Sequence, residues 1–121
     1  MKPDEIEQEI QDKGLTAPRV TLEDIEANIT SVFYFTAANG VYGASGHRPN
    51  SFRAGTALSL LTFCVLVLRN GFTVTGESAC VSPENFDAEL GRKIARQNAI
   101  AKVGPLMGYA LRERLYAREG K

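Results

Sequence analysis

Residues 60–102 read LLTFCVLVLRNGFTVTGESACVSPENFDAELGRKIARQNAIAK, and this stretch decides the fold. It contains the longest apolar run, Leu60–Leu68, followed by Asn70-Gly71 and a second β-rich run. Asn-Gly between two such runs is the strongest short-range hairpin signal and predicts a two-residue type I′ turn. That turn would set Arg69 opposite Phe72, Val67 opposite Val74, Val65 opposite Gly76, Phe63 opposite Ser78 and Leu61 opposite Cys80. One face then carries Leu61, Phe63, Val65, Val67, Phe72 and Val74. The other carries Cys64, Leu66, Leu68, Thr73, Thr75 and Glu77. The first strand is apolar on both faces and belongs in the interior of a sheet, whereas the Thr/Glu face of the second belongs in water. A lone hairpin is barely stable. A third strand is therefore expected, from 32–36 or from another subunit.

Ser82-Pro83-Glu84 predicts the start of a helix, since serine caps, proline fits the first position and acids favour the positive end of the dipole. The helix is expected over 83–103, ending before Gly104-Pro105, with another over 105–118. At 100° per residue, Phe86, Leu90, Ile94, Ile100 and Ala101 make an apolar side of the first. Ala88, Gly91, Ala95 and Ala99 make a side of small residues suited to meeting the final helix or a symmetry mate. Arg92 and Arg96 fill the edge between.

Upstream, Ile6 and Ile10 with Gly14 indicate a thin helix over 4–13, on an N-terminal helical arm of residues 1–14. Thr21 and Asp24 form a variant capping box, and Val20 with Ile25 a hydrophobic staple, opening a helix over 22–31. Residues 37–56 hold glycines, Asn39, Pro49 and Asn50 and are expected to form one long loop. Tyr34, Phe35, Tyr42 and Phe52 lie in or beside it, as anchors on the core or as stacking surfaces for a flat ligand. The expectation is a single α+β domain over 1–121: a small antiparallel sheet on the hairpin at 60–69 and 72–80, with helices packed on it.

The chain has 121 residues, 14 basic and 14 acidic, hence no net charge. Zero net charge argues against a large non-specific nucleic-acid footprint. Its apolar runs are far shorter than the ~20 residues of a membrane span, and the acidic N-terminus is no secretory signal. The charge is uneven: residues 1–26 are acidic and 92–121 basic. The two ends either neutralise one another or present a basic end to an anionic partner. Two cysteines, on opposite faces of the expected hairpin, read as small buried hydrophobes. His47 stands without a Cys/His cluster, so no metal is expected. Gly40, Gly43 and Gly46 do not join a strand to a helix as a phosphate loop would. Ser59 and Ser78 lack a nucleophile elbow. The reading is a non-enzyme without cofactor.

Asn70-Gly71-Phe72 and Ser82-Pro83-Glu84-Asn85-Phe86-Asp87, with LLTFCVLVLR before them and GYALRERL after, resemble a family of small tailed-phage proteins. This is the gene-product-forty-nine or gene-sixty-six family. TAPRVTLEDIEANI and YFTAANG extend the resemblance over most of 13–116. The chain departs from the family at Gly104, where relatives usually carry tryptophan. The resemblance implies a phage or prophage origin and a place in the host bacterial cytoplasm, and brings no catalytic residues. Phage accessory proteins include counter-defence sponges, oligomers that sequester cyclic nucleotide or ADP-ribose-type signals. On that expectation the candidate ligand-binding residues are Arg92, Arg96 and Arg112, whose guanidinium forks suit phosphate. Tyr34, Phe35 and Tyr109 join them, with Glu77 as the acid lacking a structural task. A homo-oligomer is expected, because the first hairpin strand and the 83–103 helix call for more cover. The alternative is a protein-binding module that inhibits or recruits a host protein.

Overall fold

A computed structural model describes residues 2–48 and 52–120, with the backbone alone described at 52–54. The elements in order are α1 (Pro3–Asp12), α2 (Leu22–Asn28), β1 (Ile29–Thr36), α3 (Ala37–Ser45), α4 (Phe52–Ser59), β2 (Leu61–Leu68), β3 (Thr73–Ala79) and α5 (Ala88–Arg118). A short 3-10 turn, Pro83–Asn85, precedes α5. The α+β class is as expected. The chain forms two compact units: 1–28 with 103–121, and 29–102.

In the second unit the sheet is antiparallel in the order β1-β2-β3. The doubly apolar strand β2 is central, as its composition requires. The third strand is the chain's own β1. It begins at Ile29, so the helix expected to reach 31 ends at Asn28, where the β-branched run takes over. Between Ile29 and Ser31 the register shifts by one. Thr30 Oγ1 there donates to the Val67 carbonyl at 3.0 Å.

The expected hairpin register is wrong by one residue. A type I′ turn needs positive φ at both central residues, but of Asn70 and Gly71 only Gly71 has it, at 90°. The connection is instead a three-residue loop, Arg69–Gly71. The Leu68 carbonyl accepts from Gly71 N–H and the Phe72 carbonyl from Leu68 N–H, both at 2.8 Å. Asn70 Oδ1 accepts from Phe72 N–H at 3.0 Å. Leu66 therefore faces Val74, Cys64 faces Gly76 and Phe63 faces Glu77. A slip of one exchanges the faces of one strand against the other. Thr62, Cys64, Leu66 and Leu68 are buried together with Val74 and Gly76, while Thr73, Thr75 and Glu77 are exposed.

The first half of α5 lies on that buried face. Gly76 makes this approach feasible. A Cβ at 76 would stand 2.2 Å from the Ala95 carbonyl oxygen and 2.3 Å from Ala99 N. The helix backbone thus rests directly on the strand, which only small residues permit. Ala95 and Ala99 are fully buried. The small-residue side, expected to meet a helix or symmetry mate, meets the sheet. On the expected apolar side, Leu90 and Ile94 are exposed.

Three expected boundaries also move. Ser82 makes no side-chain cap, and Phe86 is extended after the 3-10 turn. Asp87 caps α5 instead, its Oδ1 accepting from Leu90 N–H at 3.0 Å. At Gly104-Pro105 the expected break is absent, and α5 runs 31 residues through Pro105. The proline costs the ladder one bond, to the Ala101 carbonyl, and helix continues on both sides. The expected 37–56 loop holds α3 and α4. Thr36 and Asn39 cap α3 reciprocally, with Thr36 Oγ1 accepting from Asn39 N–H at 3.1 Å and Asn39 Oδ1 from Thr36 N–H at 2.9 Å. Gly46 ends α3 in the left-handed conformation, φ 75°. Residues 49–51 of that expected loop and the side chain of Phe52 lie outside the described residues.

In the first unit, α1 spans 3–12, close to the expected 4–13. The Thr21/Asp24 box ahead of α2 is as expected: Thr21 N–H donates to Asp24 Oδ2 at 2.9 Å, and Asp24 N–H to Thr21 Oγ1 at 3.0 Å. Arg19 meets Glu7 fork to fork, at 2.9 and 2.7 Å. Gly104 lies beside Ile25, whose Cδ1 would be 3.6 Å from an added Cβ.

Candidate functional site: a cleft at the head of the long helix

In the second unit, three chain segments converge where β1 passes into α3. β1 ends with Tyr34, Phe35 and Thr36, and the capping box turns the chain sharply so that Asn39 follows on the same rim. Thr62 stands opposite Thr36 on β2. Phe86, half-buried, and the first turns of α5 close the other side with Ala88 and Arg92. Together they line a cleft of about 120 Å³. An enclosed apolar cavity of ~150 Å³ in another protein holds one benzene ring; this cleft is somewhat smaller and is open to solvent.

Its electrostatics favour an anion. The N-terminal ends of α3 and α5 both lie at the cleft, through Asn39 and Ala88, and carry partial positive charge. Arg92 adds a full one, and no ion pair of Arg92 occurs among the described residues. Asp87, one residue outside, opposes this with its capping carboxylate, which is engaged with Leu90 N–H.

The expected site residues divide. Tyr34, Phe35 and Arg92 come together at the cleft. The Phe35 ring, however, stacks on Phe63 with centroids 5.4 Å apart and lies against Gly40, so it anchors α3 to the sheet. Arg96, one turn beyond Arg92, is half-buried and engaged, and does not line the cleft. Burial pushes the Cys64 thiol up, while the Arg96 charge pulls it down. Glu77 is exposed on β3. Its backbone carbonyl accepts from Asn98 Nδ2 at 2.8 Å, and Thr75 Oγ1 donates to its carboxylate at 3.5 Å. Arg112 and Tyr109 belong to the other unit. There Arg112 is paired with Glu119 and Tyr109 is 70% exposed.

Thr36, Asn39, Thr62 and Phe86 were not among the expected residues. For Thr36 and Asn39 a signal existed in the T-x-x-N spacing before a glycine stop. For Thr62 and Phe86 there was none, because their place depends on strand register and on where α5 begins.

These features define a small α+β protein with a helix-backed three-stranded sheet and a cationic cleft at one corner. The chain belongs to the Phage protein (N4 Gp49/phage Sf6 gene 66) family, whose model matches residues 20–115. No curated protein and no solved structure matches it. Among the described residues no helix is long and apolar enough to cross a membrane.

Proposed function

We propose that this phage protein is a non-enzymatic accessory protein that sequesters an anionic, nucleotide-type host immune signal in the bacterial cytoplasm. The observation that carries the reading is Arg92. Its guanidinium stands without an ion pair among the described residues, in a cleft that Tyr34 and Phe86 also line and where two helices begin. A guanidinium fork with helix N-termini suits phosphate, and aromatic faces suit a base. A cyclic nucleotide or an ADP-ribose-type molecule offers both. Calorimetry against cyclic di- and trinucleotides and cyclic ADP-ribose isomers tests it. At least one should bind, and Arg92→Ala should weaken that binding. No heat from any of them at high micromolar concentration overturns the reading.

The second reading, a module that inhibits or recruits a host protein, is favoured by exposed apolar side chains. Leu90 is 54% exposed on α5 and Phe33 58% on β1. A stoichiometric host protein captured from lysate, lost in Leu90→Glu and kept in Arg92→Ala, would favour this reading over the first.

A further inference from the structure

One polar group in the cleft has no task in the fold. Thr62 is only 3% exposed, yet its hydroxyl makes no hydrogen bond among the described residues. No enclosed side-chain polar atom among the described residues lacks a partner, so this hydroxyl opens to the cleft that Thr62 lines. Its surroundings keep it clear. The neighbouring strand hydroxyl in the same row, Thr36, is committed to Asn39 N–H. Above it, Gly91 lacks the Cβ that would stand 3.2 Å from Thr62 Oγ1. A hydroxyl open to the cleft is hydrated in the free protein and is available to a ligand that displaces that water. Arg92, one residue along α5 from Gly91, lines the same cleft.

We infer that Thr62 is the specificity-determining residue of this cleft, its hydroxyl bonding the polar edge of a single six-membered heterocycle whose phosphate rests on Arg92. The inference rests on the nucleotide reading above and narrows it. Each chain takes one pyrimidine-sized ring and one phosphate, so a cyclic dinucleotide is shared between two chains. An open cleft of about 120 Å³ is small beside sites that enclose larger ligands, which run to about 300 Å³ and more, so on this inference the second base lies outside it.

The probes are uridine 5′-monophosphate, ribose 5-phosphate and cyclic di-UMP, titrated into the full chain, Thr62→Val and Arg92→Ala. Uridine monophosphate should bind one per chain, and cyclic di-UMP one per two chains. Thr62→Val should weaken uridine monophosphate about fivefold, the scale of one hydrogen bond, and leave ribose 5-phosphate unchanged. Arg92→Ala should weaken both. Thr62→Val should melt no lower than the parent, because the hydroxyl it removes makes no hydrogen bond within the described residues. A lower melting temperature would mean a structural bond and overturn the inference. So would unchanged affinity for uridine monophosphate in Thr62→Val, or one cyclic di-UMP per chain. If members of the cyclic panel bind but uridine monophosphate does not, the inference falls and the nucleotide reading stands. If nothing binds, both fall.

Discussion

Cys64 and Cys80 show how much turns on one residue of register. The expected hairpin put them on opposite faces. In the observed register Cys80 N–H pairs with the Leu60 carbonyl, which places both on the same face. They remain free thiols, four residues apart along β2's axis, or ~13 Å at 3.3 Å per residue. Cys64 is fully buried with its thiol pushed up by burial, whereas Cys80 is half-exposed and its Sγ donates to the Ser82 carbonyl at 3.2 Å. Iodoacetamide should therefore add one adduct to the native protein, at Cys80, and two in denaturant, as read by intact mass. Two rapid adducts on the native protein would contradict this packing. Glu7 is a second case. The Arg19 guanidinium, then Gln11 Nε2, hold its carboxyl down to about 2, against an ordinary value of 4.5. A depressed carboxylate stabilises the native state fully above 4.5 and loses that contribution as pH falls toward 2. In a carboxyl-detected NMR titration Glu7 should show a midpoint near 2, and Arg19→Gln should move it up toward 4.5.

Among the elements, α5 organises the second unit through its contact at Gly76. Gly76→Ala sets a methyl against backbone atoms of Ala95 and Ala99, which cannot rotate away. Overpacking of this kind costs about 3 kcal/mol, measured as a fall in the urea midpoint. An unchanged midpoint would show that α5 does not sit there. Pro105 has the opposite sign. A helix-interior proline costs about 3 kcal/mol relative to alanine, so Pro105→Ala should raise stability by up to that amount, as long as α5 is one helix. A loss would indicate two helices meeting at a turn. The element types were largely legible before the structure. Thr21 with Asp24 announced α2, and the apolar run 60–68 announced a central strand. The helices at 37–45 and 52–59 were obscured because Gly40 and Gly43 suggest loop. Glycine weakens a helix by only about 1 kcal/mol, and reciprocal capping by Thr36 and Asn39, together with contact between Gly40 and Phe35, offsets that.

For the whole molecule, the uneven charge resolves partly into local pairs. Glu7 meets Arg19, Glu9 meets Lys13, Glu89 meets Lys93 and Arg112 meets Glu119. Arg92 is left to a ligand on the reading proposed above. We propose that the exposed Leu90 and Ile94 on α5 carry the homo-oligomer expected from the sequence. Light scattering should give a multiple of 13.2 kDa, reduced to that value by Ile94→Glu. A monomeric parent would remove the oligomer from the proposal and leave the cleft. The sequence by itself determined the element types outside 37–59, the central place of β2, the family and Arg92 as one of three candidate arginines, because these follow from local propensity, alternation, helical spacing and motif. Only the tertiary structure decided the hairpin register, the face α5 presents to the sheet and the gathering of Thr36, Thr62 and Phe86 around Arg92. The register depends on the positive φ of Gly71, and the other two on close approaches at Gly76 and Gly91, where the absence of a side chain leaves room without saying what will fill it.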